Sequence, residues 1–501
     1  MPTQLTSRCV AVVGLGKSGL SVVRFCIERG AKVVACDDRG EAALASSLSS
    51  IAPLLSTGRL DLVLGGLRPE VLCAADLIVC SPGVPPTRPA LIAARQAGVP
   101  ITGEIELASQ YITAPIVGIT GTNGKSTVTS LCGAIAKATS RPSFCGGNLG
   151  TPLIDAVGTA AASPKGIVVI ELSSYQLETC ETLSCHAAAL LNLTPDHLDR
   201  YHSLREYGDA KARIFRNMAP WSPRIVSADD PEVQALYARH LGSSDPCFLF
   251  TTQSSLPSRR LQGRMLQLGG YVDDGHLVLR GVTGGLDASQ NGTDVKEERY
   301  SLSEFQLVGR HNQANMLAAF LLMRASGLAS YDEVRRATVG FSALPHRMQL
   351  IGEAHGVAFF DDSKGTNVDA VVAGLAGFPR PLVLIAGGRD KGGSYEPLRS
   401  VLSEQTTRGV ITIGEAAPLI EQSLSSSAFP VQRAASLPEA VASAVALCQP
   451  GDAVVLSPAC SSFDMFRDYA HRAEVFADAV AALPGASMRV THGHSHDGVA
   501  K

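Results

Sequence analysis

The run Gly118-Ile119-Thr120-Gly121-Thr122-Asn123-Gly124-Lys125-Ser126-Thr127 follows the apolar stretch Ala114 to Val117 and restricts the fold more than any other feature of the chain. It reads as strand, glycine-rich loop, helix. Glycines let a backbone approach phosphate oxygens, successive N–H groups surround them, the Lys125 ammonium adds a point charge, and the Ser126 hydroxyl can face magnesium. A strict G-x-x-x-x-G-K-[ST] pattern needs glycine at position 119, which is Ile119, so the spacing is altered. A glycine turn that merely opens a helix is the alternative. Strand, Gly-Lys-Ser-Thr and helix together favour phosphate, and with it a nucleoside triphosphate.

Length and composition bound the rest. A chain of 501 residues, 45% hydrophobic and 18% charged, has room for about three α/β domains. A formal net charge of -3 creates no field that would draw it to nucleic acid or to an anionic membrane, so neither is an expected partner. Twelve cysteines occur without a C-x-x-C pair, and Cys180 with Cys185 lacks companions at zinc spacing, which predicts a reduced, cytoplasmic protein. The amino terminus runs straight into a strand without the pattern of a signal peptide, and no apolar stretch of about eighteen residues predicts a membrane span.

Before the phosphate loop, Cys9 to Val13, Gly14-Leu15-Gly16-Lys17-Ser18-Gly19, an apolar helix, Lys32 to Cys36 and the pair Asp37-Asp38 spell a βαβ unit with a G-x-G-x-x-G turn. NAD is one ligand for such a turn. A nucleotide-sugar pyrophosphate is the better candidate beside a second phosphate loop, because either sits at a helix N-terminus. Leu77 to Cys80 predicts another strand, ending in the tight turn Ser81-Pro82-Gly83 where ligands of parallel sheets gather. A linker near Tyr111 to Pro115 leads into the phosphate-loop segment. Within it, 258–300 reads as a β-hairpin excursion. From Leu344 onward, Val357 to Phe360, Pro381 to Ala386, Gly409 to Ile413 and Ala453 to Leu456 predict a second Rossmann-like sheet. His492, His494 and His496 lie in a stretch read as a disordered tail rather than a metal site.

Further clusters fall at predicted element ends. Glu171, closing the strand Ile167 to Ile170 and followed by Leu172-Ser173-Ser174-Tyr175-Gln176, is placed for magnesium, or else caps the next helix. Asn192-Leu193-Thr194-Pro195-Asp196-His197-Leu198-Asp199-Arg200 follows another strand, with His197 either a ligand or structural. Lys211 reads by default as a surface lysine. Gly309-Arg310-His311-Asn312, Leu344-Pro345-His346-Arg347 and Asp361-Asp362-Ser363-Lys364-Gly365-Thr366-Asn367 complete the set. Arg347 suits phosphates and Asp362 a ribose; a helix cap at Asn312 and a salt bridge between Arg347 and Asp362 are the structural alternatives.

Taken together these segments resemble the Mur ligases of bacterial cell-wall synthesis, from the first strand to about residue 480. GITGTNGKST, GGNLG, ELSSYQLE, NLTPDHLDRY with Lys211, GRHN and LPHR carry the general likeness, some of it shared with folylpolyglutamate synthase. DSKGTN at 362–367 and SPACSSFDMF at 457–466 resemble the branch that adds D-glutamate; Gly365 stands where alanine is common. The resemblance implies an α/β protein of three domains: an N-terminal Rossmann-like binder of a uridine nucleotide (1–112), a central phosphate-loop ATPase with a mostly parallel sheet (113–342) and a C-terminal Rossmann-like domain receiving the amino acid (343–484), with 485–501 as the tail. It implies a monomeric amide ligase working through an acyl phosphate on UDP-N-acetylmuramoyl-L-alanine and D-glutamate.

For ATP it implies Gly121, Thr122, Asn123, Gly124, Lys125, Ser126, Thr127, Asn312, Arg347 and Asp362. For two magnesium ions it implies Ser126 and Glu171, then His197, with Lys211 N-carboxylated by carbon dioxide. For the uridine substrate it implies Leu15, Gly16, Lys17, Ser18, Asp37, Asp38, Ser81 and Gly83, with Asn148 toward the muramoyl part. For D-glutamate it implies Thr366, Lys391, Ser462, Phe463 and Tyr469, with a surface role for Lys391 as the alternative.

Overall fold

The computed structural model describes residues 3–198, 200–240, 247–261, 264–282, 296–307, 309–342 and 344–489. The chain divides into two compact units, Met1–Leu193 with Arg205–Phe341, and Thr194–Leu204 with Ser342–Lys501.

Short apolar runs such as Val-Ala-Val-Val, Val-Val-Ala-Cys and Leu-Ile-Val-Cys suit strands buried on both faces, the condition of a parallel sheet flanked by helices. They form the amino-terminal sheet of the first unit, in the order Leu60–Leu64, Lys32–Asp37, Cys9–Val13, Leu77–Cys80, Ile101–Gly103, all parallel. Chain order reverses between Cys9–Val13 and Leu77–Cys80, so the turns after these two strands open side by side at a switch point.

The same unit holds a larger sheet. Its order is Glu297–Ser301, His276–Arg280, Gly269–Asp273, Cys247–Phe250, Arg224–Ser227, Ala187–Leu190, Ile116–Thr120, Ile167–Glu171, Ser143–Gly147. The six strands from Cys247–Phe250 to Ser143–Gly147 are parallel, as the sequence predicts. Of the stretch read as a β-hairpin excursion, Arg259–Leu261 and Arg264–Leu266 form a separate antiparallel pair, whereas the remainder rejoins the large sheet. Gly269 and Gly270 pair in parallel with Leu249 and Phe250, and an antiparallel meander continues the sheet from there. At Gly269, with φ +142°, a Cβ would overlap the Leu249 carbonyl, so glycine permits the close approach. Helix Lys125–Ala138 packs against helix Arg310–Ala325, whose residues Asn315 to Met323 are all buried.

The second unit carries the sheet order Val431–Arg433, Thr407–Ile413, Leu382–Gly387, Ala453–Leu456, Val357–Asp361, Gln349–Ala354, Ser487–Met488. The first five strands are parallel and the last two antiparallel. Because Ser487 and Met488 pair with Glu353 and Gly352, the folded chain runs past residue 485, where the sequence reading begins a tail. Residues 490–501, with the three histidines, lie outside the described residues.

Candidate active site

A cleft of about 460 Å³ opens over the first switch point, lined by Gly16, Lys17, Ser18, Asp37, Asp38, Arg39, Ser81 and Gly83 among others. Leu15 does not line it: its side chain is fully buried and its N–H donates to Asp37 Oδ2 at 2.7 Å. Asp37 also accepts from the Arg39 N–H at 2.9 Å and from its guanidinium at 2.9 and 2.8 Å. Burial pushes the Asp37 carboxyl up, but the Arg39 side chain and the two N–H donors outweigh it and hold it below the usual range. Asp38 pairs with Arg88, and Ser81 Oγ donates to the Gly14 carbonyl at 2.7 Å. Sequence reasoning missed Arg39, which stands two residues beyond the expected acidic position.

The phosphate loop begins two residues later than a strict pattern requires because strand Ile116–Thr120 continues through Ile119, which is fully buried and pairs with Glu171 and Ala189. Gly121 (φ +149°) and Gly124 (φ +81°) occupy conformations that L side chains rarely adopt. Lys125 Nζ donates to the Gly121 and Thr122 carbonyls at 2.9 and 2.6 Å. Lys211 is buried rather than on the surface. Its Nζ donates to the same Gly121 carbonyl at 2.8 Å and lies 4.4 Å from the Tyr207 ring centroid. Ser126 and Thr127 are buried in the first helical turn. Asn312 is not a helix cap, since Gly309 occupies that position; Asn315 Nδ2 donates to Asn312 Oδ1 at 3.4 Å.

Glu171 is likewise free of the capping alternative. Ser173 caps helix Ser174–Leu177 in a reciprocal box with Gln176. Asn148 holds Glu171, donating from Nδ2 to Oε1 at 2.6 Å and from its N–H to the Glu171 carbonyl at 2.9 Å. Glu171 Oε2 is buried without a hydrogen-bond partner among the described residues. A buried carboxylate with one oxygen fixed and the other unengaged is chemically suited to a hard cation such as magnesium. Among the described residues no three His, Cys, Asp or Glu side chains cluster as an all-protein metal cage. Magnesium beside phosphates needs none, because phosphate oxygens and water complete its octahedron.

In the second unit the expected histidine and amino-acid groups meet on one carboxylate. Asp196 Oδ1 accepts from Lys391 Nζ at 3.1 Å, and Asp196 Oδ2 lies 3.5 Å from Asn367 Nδ2 and 3.6 Å from His197 Nε2. Lys391 also reaches Thr366 Oγ1 at 3.5 Å. Asn367 caps helix Val368–Leu375, fixing the loop that carries Thr366. The loop bearing Lys391 is tied to the one bearing Ser462 and Phe463 by paired bonds between Arg389 and Ser461. Ser462 is buried, whereas Phe463 is 67% exposed. Tyr469 packs edge-on to His346, with Lys364 Nζ 5.3 Å from its ring centroid.

Asp362 is buried and accepts from Ser457 Oγ at 2.5 Å and from the Met348 N–H at 3.3 Å. Burial pushes its carboxyl up to about 7, against the Ser457 hydroxyl and the nearby Arg347 charge, which pull it down. A Cβ at Gly365 would come 2.5 Å from Asp362 Oδ2 and 2.9 Å from Ser457 Oγ, so glycine fits where the resemblance leads one to expect alanine.

Parallel sheets with a phosphate loop beside a half-engaged carboxylate place the chain in the class of phosphate-loop α/β nucleotide-binding proteins. The family model of the Mur ligase MurD-like N-terminal domain matches residues 8–103, that of the Mur ligase middle domain residues 119–323, and that of the Mur ligase glutamate ligase domain residues 346–460. The UDP-N-acetylmuramoylalanine–D-glutamate ligase of Syntrophotalea carbinolica is 42% identical over 486 residues, covering 96% of this chain and 99% of the relative. The protein of the same name from Anaeromyxobacter dehalogenans is 42% identical over 482 residues, covering 94% and 97%. The solved structure of UDP-N-acetylmuramate-alanine ligase from Thermotoga maritima shares the fold at a TM-score of 0.56 and 18% identity, over 94% of this chain and 98% of that one. A pseudomurein peptide ligase type C from Methanothermus fervidus does so at 0.54 and 19%, over 90% and 96%. The chain belongs to the Mur ligase family, and the amino-terminal match sets it apart from the dinucleotide oxidoreductases that the first glycine turn also suggested.

Proposed function

We propose that this chain joins D-glutamate to UDP-N-acetylmuramoyl-L-alanine, driven by ATP, in the synthesis of peptidoglycan precursors. The observation that carries this reading is its near-full-length likeness to relatives named for that ligation. The γ-phosphoryl group of ATP passes to the carboxylate of the L-alanine stub, giving an acyl phosphate and ADP. The amine of D-glutamate then attacks the acyl carbon, and the tetrahedral intermediate expels phosphate as the amide forms.

Lys125 and the first turn of its helix hold the triphosphate, with Asn312, Arg347 and Asp362 assigned to the remainder of ATP. Ser126 and the unengaged oxygen of Glu171 suit one magnesium ion, and Asn148, which holds the other oxygen, positions that carboxylate as well as facing the muramoyl group. When bound, magnesium offsets the repulsion between the triphosphate and the substrate carboxylate. A second ion is assigned to His197, and Lys211 to N-carboxylation. Two ammonium groups on the Gly121 carbonyl repel one another, and converting one to a carbamate replaces that repulsion with attraction.

The first cleft takes the uridine nucleotide through Gly16, Lys17, Ser18, Asp37, Asp38, Ser81 and Gly83, with Leu15 shaping its turn. Lys391, Thr366, Ser462, Phe463 and Tyr469 take the D-glutamate carboxylates. On this reading Asp196 holds the Lys391 ammonium until the substrate carboxylate competes for it. The domain boundaries fall at 112 and 342, and the enzyme is a cytoplasmic monomer; no helix among the described residues is long and apolar enough to cross a membrane. The test is phosphate release from ATP, magnesium and UDP-N-acetylmuramoyl-L-alanine with each candidate amino acid in turn. Turnover is expected with D-glutamate alone, and equal turnover with L-glutamate or another amino acid refutes the assignment. Lys391→Ala is expected to raise the KM for D-glutamate and leave the KM for ATP unchanged.

A further inference from the structure

Asn192 follows strand Ala187–Leu190, which lies beside the phosphate-loop strand in parallel register, Thr120 opposite Leu190. The Leu191 N–H donates to the Thr120 carbonyl at 3.0 Å, so pairing continues past the strand ends toward the loop. There Asn192 makes three contacts. Its carbonyl accepts the Thr122 N–H at 3.0 Å, its Oδ1 accepts the Asn123 N–H at 2.7 Å, and its Nδ2 donates to the Asn123 carbonyl at 3.1 Å. The side-chain amide thus pairs with the Asn123 main chain through one donor and one acceptor, as a neighbouring peptide would in a sheet.

We infer that Asn192 is a positioning residue for the polyphosphate: its amide sets the direction of the loop peptides, so that the Gly124 N–H and the first helical turn, rather than the N–H groups of Thr122 and Asn123, face the phosphates. The geometry follows from the trans peptide. With the Asn123 carbonyl directed at Asn192, the Gly124 N–H of the same planar unit points the opposite way. It then continues the row of N–H groups at the start of helix Lys125–Ala138, where the helix dipole adds its positive end. Gly124 is left-handed at φ +81°, a conformation this arrangement needs and glycine supplies. A neutral amide suits this position because a carboxylate of the same shape would hold the Asn123 N–H while repelling the phosphate it prepares for. Asn192 touches no reacting atom in this account and acts through the loop.

This inference rests on the ATP reading given above, and its test separates the two. Purified wild type, Asn192→Ala and Asn192→Asp are compared by calorimetric titration with Mg-ADP and with adenosine, by steady-state KM for ATP and for D-glutamate, and by melting temperature without ligand. Asn192→Ala is expected to weaken Mg-ADP binding and raise the KM for ATP about tenfold, the size of two lost neutral hydrogen bonds. Adenosine affinity and the KM for D-glutamate stay near wild type, and the ligand-free melting temperature falls by no more than a few degrees. Asn192→Asp keeps the acceptor but loses the donor and adds charge, so it is expected to weaken Mg-ADP at least as much and to fold like wild type. Should the alanine variant fail to fold, the aspartate variant decides alone. Unchanged Mg-ADP affinity in a folded variant, or an equal loss for Mg-ADP and adenosine, overturns the inference. Wild type that binds no Mg-ADP refutes the ATP reading instead.

Discussion

Two glycine turns in this chain open helices above parallel strands, yet they are built on opposite electrostatic plans. The turn at 14–19 is braced by a carboxylate: Asp37 takes the Leu15 N–H and is itself neutralised by Arg39. The turn at 121–124 is braced by the Asn192 amide, with two lysine ammonium groups on the Gly121 carbonyl. Their steric demands are alike. At the first turn a Cβ on Gly14 would come 2.9 Å from both Ser81 and Val84, and one on Gly19 would overlap the Gly14 carbonyl, so packing demands those glycines. At the second, a Cβ on Gly124 would overlap Asn315 Oδ1, and Gly121 and Gly124 are left-handed, as Gly14 is in the first. One turn is rigid and close to electrically neutral, fit to recognise a ligand. The other sets the Lys125 ammonium and the start of a helix around the loop, fit to hold a triphosphate whose terminal group must leave.

If that division is right, the strongest break in it is Lys125→Ala. Losing a preorganised donor to the transferring group is expected to lower kcat/KM by about a thousandfold or more. Affinity for the uridine substrate, measured by calorimetry, should not move. An equal loss at both sites would mean that the two turns are coupled and the contrast is false.

Gly19→Ala attacks the other side. Because the added methyl meets backbone rather than a flexible side chain, the turn must open, which is expected to cost about 2–3 kcal/mol. Denaturant unfolding would register this, and no left-handed strain contributes. A variant of wild-type stability would show that the turn relaxes easily and that its rigidity is overstated.

How much of this was legible in the sequence follows the range of the interactions. The strands and the loop were readable because apolar runs and glycines act locally: Leu77–Cys80 and Ala453–Leu456 have the bounds the sequence suggests. For Lys211 the residues alone give only the default of a surface lysine, because its burial depends on the tertiary fold that brings it to a carbonyl 90 residues away. Asn192 lies 69 residues from the loop it braces, and Asp196 lies 195 from Lys391. No period or motif spacing encodes such pairings. The stretch 258–300 reads as an excursion because Gly, Asp, Ser and Arg interrupt its short apolar runs, while the fold uses Gly269 to let two strands approach. Asp37 lines the cleft where the resemblance implies it, while its pairing with Arg39, two residues on, is a feature that no motif marks.

Asp37→Asn sharpens the comparison at moderate cost. The native carboxyl titrates below its ordinary range, so its contribution to stability is present above about pH 4 and is lost as pH falls through the folded value. Asparagine keeps an acceptor for Leu15 but loses the charge facing Arg39, which is half exposed, so the deficit at neutral pH should be about 1 kcal/mol. Melting curves of the two proteins should therefore lie apart at pH 7 and draw together below about pH 4. A gap that stays constant with pH would remove charge from the role given to Asp37.

Gly16→Ala is the smallest change and the most discriminating. Gly16 lies in extended backbone, φ -81° and ψ -171°, which any residue adopts, and a Cβ there meets nothing within 4 Å. Neither strain nor packing explains this glycine, in contrast to Gly14 and Gly19 beside it. As the N-cap it stands at the start of helix Lys17–Glu28 and lines the cleft. A methyl at that point occupies space that a pyrophosphate would use to reach the helical N–H groups. Stability should change by no more than about 0.5 kcal/mol, while the KM for the uridine substrate rises and that for ATP stays unchanged. Unaltered affinity for the uridine substrate would show that the diphosphate does not approach the backbone here, and the division of labour between the two turns would then lack its ligand on one side.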